Sequence, residues 1–494
     1  MIPHRDDPKA PTQKSAGWTS PWNFDDQWEI DHLRRTPPSA EFEALAKPQE
    51  LPPAPLAPTA YNRGNPARTS WVMRLMVCLG LLGLVLLAWT YLTDAPLQPD
   101  ADLHLQMPAD RAAKVRVPEQ LKLFLGTVRK IENMELAGKP AWSWDTPSLS
   151  NYVESNGVAF DNLRDLLEDF DWHPNHAAWR AEDLGEHPAW PHVRILLQAQ
   201  AAYLIRLGNE EAAFTTAIDI AEMSRRMQEL WAWPSFMQRA QELHAAAVQT
   251  TAELLKQTRL GSQSLEHFQN EFMQCEPSDK LLQGGLSIFY QLEKNRLLGE
   301  KILAHPDTLP AGAIRERPTR LFFKNHETLN LLADAFRHLV KEAVSSPYAA
   351  RGKPSQSSRM ASLQKPVFYQ PNGAGEAYFA AHVEPYLLLP GHHHLAKARH
   401  SLVLSLFAIR RYVADHQKLP ASLTELYPKY LLGLPLDPFS DEPMQYDPLK
   451  GVLFSAGVNF LKEGGRITQP PLLDAAEPTV DLGIAVATPV RTPK

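Results

Sequence analysis

The pattern of apolar and polar positions changes character several times along the chain. In the first 70 residues no period is sustained, because Pro37, Pro38, Pro48, Pro52, Pro53, Pro55, Pro58 and Pro66 interrupt every window. LPPAPLAP in particular favours extended polyproline II over helix or strand. Residues 1–70 are therefore expected to be a disordered, proline-rich tail. Within it, SPWNFDDQWEIDHLRR (residues 20–35) sets Trp22, Phe24, Trp28, Ile30 and Leu33 among charges. That composition suits a short motif that folds onto a protein partner, with incidental hydrophobic residues as the alternative.

The pattern then becomes continuously apolar. LMVCLGLLGLVLLAWTYL, Leu75 to Leu92, carries no charge, and as a helix it would cover roughly 27 Å, close to the hydrocarbon thickness of a bilayer. A single transmembrane helix is expected over 72–93, with Trp71, Trp89 and Tyr91 near the interfaces. A buried core helix is the alternative reading. The long proline-rich segment ahead of it, and Pro96 directly after Ala95, argue against a cleaved signal peptide. Arg63, Arg68 and Arg74 precede the run, whereas Asp94, Asp100 and Asp102 follow it. Cytoplasmic flanks favour Lys and Arg, so the N-terminus is expected in the cytoplasm and the long C-terminal part outside it, as in a bacterial inner-membrane protein with a periplasmic domain. Any partner of residues 20–35 would then be cytoplasmic.

Residues 94–116 read as a linker, and from 117 the period becomes helical. Leu121, Leu123, Phe124, Val128 and Ile131 recur near one face behind Pro118, which suits a first turn. HVRILLQAQAAYLIRLG ends at Gly208, and NEEAAFTTAIDIAEMSRRMQEL opens at Asn209, an N-cap residue followed by acids. Together they predict an αα-hairpin in which Leu197, Ala201, Leu204 and Ile205 face Ala213, Ala217, Ile220 and Met223. Tyr203, Gly208, Ala212 and Ala217 give this hairpin a likeness to one tetratricopeptide-type unit, without a second copy in register. Further helices are expected before Gly261, over 264–272, from Ser278, and over Asn325–Val344, giving a helical domain over 117–345. A loop or linker is expected over 346–374. The region 375–467 reads as an amphipathic helix, His394 to Gln417, followed by a short helix capped by Ser422 with Glu425 completing a capping box. A turn at Asp437–Pro438 and a β-hairpin of MQYD and VLFSAG complete it. Residues 468–494 are expected to be a disordered tail. The fold class is thus mainly α: a membrane-anchored helical domain with helix-hairpin packing and a small C-terminal α+β module.

Composition narrows the function without naming it. The chain has 494 residues, 44% hydrophobic and 21% charged, with a net charge of −6. The charges are mixed and form no basic stripe, which excludes nucleic acid as an expected partner. The two cysteines, Cys78 and Cys275, do not suggest a disulfide, since Cys78 falls in the apolar run. GHHHLAKARH offers His392, His393, His394 and His400 as candidate metal ligands. Consecutive residues on a helix point about 100° apart, however, and His393 and His400 are separated by roughly 10 Å along the axis, too far for one zinc ion. His173 and His176, beside Asp171 and Trp172, form a second histidine pair for which packing is the expected role. Ser362-Leu363-Gln364-Lys365 has the S-x-x-K spacing of acylating enzymes but lacks its companion motifs. No catalytic, cofactor-binding or metal residue is therefore assigned, and Cys275 is expected to be a buried, idle thiol.

The order of elements carries a resemblance. Gln417-Lys418-Leu419-Pro420, then Pro435-Leu436-Asp437-Pro438-Phe439, then Tyr446, then Phe454-Ser455-Ala456-Gly457 and Gly464-Gly465 resemble the C-terminal part of type II secretion major pseudopilins. Through this tail and the stretch from Pro191 to LEKNR at Leu292, the chain also resembles uncharacterised single-span helical proteins of Planctomycetes and Verrucomicrobia. The acidic calcium loop of the pseudopilins is replaced here by Gly457–Glu463, whose side chains offer Asn459 and Glu463, so a metal-free cap is expected. Taken together, the readings favour a single-pass membrane protein with a structural or interaction role, a scaffold or adaptor without catalysis. An accessory component of a secretion or pilus system and an enzyme of unrecognised type are the alternatives.

Overall fold

The computed structural model describes residues 66–104, 117–132, 136, 138–169, 172, 184–230, 234–298, 323–350, 370–457 and 482–486. These residues are mainly helical. The chain divides into two units, Met1–Leu81 and Leu82–Lys494, and the division falls within the first helix, α1 (Pro66–Leu92). Of the expected tail, residues 1–65 lie outside the described residues, and with them the aromatic motif at 20–35. From Trp71 to Leu92 α1 has a mean hydropathy of 2.3, and almost every side chain in that span is exposed.

The second unit follows the helical periods closely. Its first helices are α2 (Val117–Thr127), α3 (Thr146–Ser155) and α4 (Gly157–Glu168). Asp145 caps α3 by accepting the Ser148 N–H at 3.0 Å. The hairpin consists of α5 (Trp190–Arg206) and α6 (Glu210–Glu229). Gly208, at φ 79°, takes the left-handed conformation that ends α5, and Asn209 accepts the Ala212 N–H to start α6. Ala201, Ala213 and Ala217 are fully buried, which lets the two helices approach closely. Then come α7 (Pro234–Gln257), α8 (Ser262–Gln274), α9 (Asp279–Leu298) and α10 (Asn325–Val344).

Four expectations need correction. The first concerns 94–116: residues 94–104 pack against α9 and α10, with Leu103 buried to 2% exposure, while 105–116 lie outside the described residues. The second concerns 346–374, where α11 (Pro347–Ala350) and the start of α12 (Gly373–Leu387) appear. Buried Asn372 there accepts the Lys324 N–H at 2.9 Å, tying α12 to the start of α10. Nor is that stretch a domain boundary. The long helix α13 (Leu389–His416) buries Leu402, Leu406, Phe407 and Ile409 in the same core as α5 to α8. An amphipathic helix needs an apolar partner, and α13 finds it in helices distant in sequence.

The third correction is the short helix after Pro420. Only a 3-10 turn forms, Leu423–Leu426; Ser422 bonds the Thr424 hydroxyl instead of capping, and Glu425 accepts the Tyr412 hydroxyl at 2.9 Å. Last, the end of the chain contributes a strand. The ladder β1 (Leu436–Asp437) with β2 (Glu442–Pro443) is followed by an antiparallel sheet of β3 (Gln445–Asp447), β4 (Val452–Ser455) and β5 (Leu482–Ala485), with β4 central. β5 lies within the stretch expected to be disordered. A two-stranded hairpin leaves one edge of β4 open, and β5 closes it.

Candidate functional site

Among the described residues of the second unit, four of the polar clusters join separate elements. The most extensive is the segment that leaves α1. Asp94 accepts the N–H groups of His326 and Glu327, at 2.9 and 3.1 Å, and so occupies the electropositive start of α10. Asn330 accepts the Gln98 N–H and donates to Pro96 O, both at 2.9 Å. Arg337 holds both oxygens of Asp102 and also reaches Pro99 O. Asp100 meets Lys294 at 2.5 Å and the Tyr290 hydroxyl. Burial raises the Asp100 carboxyl, yet hydrogen bonds from Lys294, Tyr290 and His104 outweigh this and hold it at about 2. Asp94, Asp100 and Asp102 entered the sequence reading only as charges beside a membrane span, and the structure makes them the fasteners of a strap.

A second cluster joins α9 to α12. Glu293 is buried and accepts the Tyr386 hydroxyl at 3.0 Å, and Arg296 donates to Glu293 and to His382 Nδ1, the latter at 3.0 Å. Burial raises Glu293 despite Arg296 and Tyr386. Burial, with Arg296 adding to it, pulls His382 down to about 4, so the imidazole is neutral and Nδ1 is the acceptor. The Tyr378 ring lies 4.1 Å from the His382 ring, and its hydroxyl is buried without a partner. The i, i+3 spacing of Glu293 and Arg296 was visible in LEKNR; nothing local pointed to His382.

The histidines of GHHHLAKARH do not converge. His393 Nε2 lies 2.7 Å from Asp279, which also binds Lys397, while His394 Nε2 bonds Glu342 O at 2.8 Å. His400 faces elsewhere: it stacks on Phe272 at 4.6 Å and on His244 of α7 at 5.3 Å. Both nitrogens of His400 and both of His244 are buried without partners. Burial, then His393 and Arg399, lower His244 to about 3. His244 was not singled out from the sequence, although a histidine inside the apolar stripe of HAAAV was a usable signal. Among the described residues no group of three or more His, Cys, Asp or Glu could hold a metal ion. His173, His176 and Ser362–Lys365 lie outside the described residues. Cys275 is buried at the C-terminal end of α8, just past its last residue, where burial and Glu222 push its thiol up to about 12, leaving it unreactive near neutrality.

The fourth place is the turn at Asp437. Its buried carboxylate accepts the N–H groups of Phe439 (3.1 Å) and Ala456 (2.7 Å) and the hydroxyls of Ser440 (3.3 Å) and Ser455 (2.7 Å). This links the β1–β2 turn to the end of β4. No family model matches the chain, and no curated protein or solved structure matches it either.

Proposed function

We propose that the chain is a single-pass membrane protein whose helical unit stands outside the cytoplasm and works by binding other proteins, as a scaffold or adaptor. The observation that carries the reading is the helix Trp71–Leu92, apolar over 22 residues and 0% buried among the described residues. Leucines and valines exposed on every face are costly in water and favourable in hydrocarbon. Arginine on one flank and aspartate on the other support the N-in orientation. The polar clusters fit a structural role, since Asp437, Arg337 and Asp94 spend their hydrogen bonds on the backbone and side chains of neighbouring elements. Tyr427, Leu432, Leu436 and Leu449 of the C-terminal module are exposed and supply apolar contact area for a partner.

A reporter active only outside the cytoplasm tests the topology. Fused after residue 120 it should be active and fused near residue 60 silent; the reverse pattern rejects the orientation. For the binding role, a photo-crosslinker at Leu449 should give one discrete adduct in membranes while one at exposed Leu123 does not, and equal smears at both sites would reject it. A second reading, an accessory part of a secretion or pilus system, is favoured by the order of Asp437-Pro438-Phe439, Tyr446 and Ser455-Ala456-Gly457 along the module. It requires that the discrete adduct contain a secretion-machine component.

A further inference from the structure

The chain leaves α1 without slack. The last turn of the apolar helix continues through Thr93, whose N–H and hydroxyl both donate to Trp89 O, at 2.9 and 2.6 Å. The next residue is Asp94, and its carboxylate already holds the His326 and Glu327 N–H groups at the start of α10. His326 Nδ1 also lies 3.1 Å from Ala95 O. One Cα–Cα step covers about 3.8 Å, and an aspartate side chain with one hydrogen bond adds roughly 6 Å, so the His326 amide lies within about 10 Å of the end of the apolar helix.

A tether this short decides which surface meets a membrane. The headgroup layer of each leaflet is about 5 to 7 Å deep, and Trp89 and Tyr91 favour the edge of that layer. The start of α10 then falls within the headgroups or directly on them. What it presents there suits such surroundings. Asn325 and His326 are exposed and carry polar side chains that can meet phosphate and carbonyl oxygens, while Leu97 on the strap is 50% exposed and gains by leaving water for the interface. Lys324 pairs with Glu327 at 3.4 Å, and Asp94 adds a second carboxylate, so this surface carries no excess of positive charge. It fits zwitterionic phospholipid, since recognition of anionic lipid needs a basic cluster. The rest of the strap keeps the unit from swinging away, with Pro96 and Gln98 on Asn330, Pro99 and Asp102 on Arg337, and Leu103 among Phe289, Phe336 and Leu339.

Resting on the single-span reading above, we propose that residues 94–97 and 324–327 form a foot that docks in the zwitterionic headgroup layer of the same membrane. The strap sets the height of this foot and the face that the unit turns to lipid. A segment expected to be a linker thereby commits one side of the helical unit to the bilayer and leaves the other sides to protein partners.

The test uses the full-length chain in phosphatidylcholine vesicles, with Cys78→Ala so that a thiol-reactive fluorophore goes to an introduced cysteine while buried Cys275 stays unlabelled. Leu82→Cys carries the dye near the middle of the apolar helix and Asn325→Cys carries it on the foot. Lipid with a nitroxide on its acyl chain should quench the dye at position 82, and lipid with a nitroxide on its headgroup should quench the dye at position 325. Quenching at 82 without quenching at 325 would overturn the foot and leave the span intact, whereas no quenching at 82 would overturn the span and the foot with it. A second variant keeps every contact of the strap: about ten Gly and Ser residues inserted between Thr93 and Asp94 lengthen the tether by roughly 17 Å on average. Headgroup quenching at 325 should then fall at least twofold with quenching at 82 unchanged. Undiminished quenching at 325 in this variant would overturn the strap as the element that holds the foot to lipid.

Discussion

Asp437 and Ser455 are joined by a 2.7 Å hydrogen bond across 18 residues, and the same carboxylate takes the Ala456 N–H at 2.7 Å. A buried carboxylate with four donors organises everything between them. Asp437→Ala would leave the Ser455 hydroxyl and two backbone N–H groups buried without an acceptor, and is expected to cost about 3 kcal/mol. Urea denaturation followed by circular dichroism measures this. A loss below about 0.5 kcal/mol would mean that water replaces the carboxylate without penalty.

The α5–α6 contact depends on small side chains. Ala217 has 0% exposure and lies in the core with Leu197 and Ile220. Ala217→Leu inserts three heavy atoms there and should destabilise the protein by about 1 to 3 kcal/mol. Melting temperatures of wild type and variant decide it, and an unchanged value would place position 217 in a region that can give way.

The stacked pair His244 and His400 makes stability depend on pH. His244 titrates near 6.5 when unfolded and is lowered to about 3 in the fold; His400 is lowered as well, by burial and by His244. Between pH about 6.5 and 3 the unfolded chain binds a proton at His244 that the folded chain refuses. Stability is therefore fully present above about pH 6.5 and is lost as pH falls, by about 1.4 kcal/mol per pH unit for each such histidine. Asp219, raised to about 6 by burial and then Glu271, acts in the opposite sense over its own range. The comparison that isolates the pair is wild type against His244→Phe, which keeps a ring against His400. Unfolding midpoints measured from pH 7 to 5 should fall less steeply for the variant, and parallel slopes would show that the pair does not control the acid response.

The strap of residues 94–104 is held by Leu103 in a pocket of α9 and α10 and by Asp94 at the start of α10. Asp94→Ala is expected to cost about 1 kcal/mol, the usual value of a helix cap. Leu103→Asp places a charge among Phe289, Phe336 and Leu339 and should release the strap. Limited proteolysis reads this as rapid cleavage between 94 and 104 in the variant and slow cleavage in the wild type. Equal rates would show that the wild-type strap is already loose.

The sequence by itself determined the elements whose cause is local. Proline spacing and apolar period set the helix over Asn325–Val344, the Gly208–Asn209 corner between α5 and α6, and the apolar span ending at Leu92, because a helix cap, a left-handed glycine and an uncharged run each act within one or two turns. Asp437 was legible as a turn residue for the same reason, its bond to Phe439 being two residues away.

Tertiary structure decided everything that depends on which elements meet. The Leu103 pocket, the Asp100–Lys294 pair, the His244–His400 stack and the closure of β4 by β5 join residues separated by about 30 to 240 positions, and no periodicity encodes such a pairing. Ser422 shows the converse. Its capping motif was locally complete, but Glu425 turned to the Tyr412 hydroxyl on α13, and a buried tertiary bond prevailed over a marginal helix of a few residues.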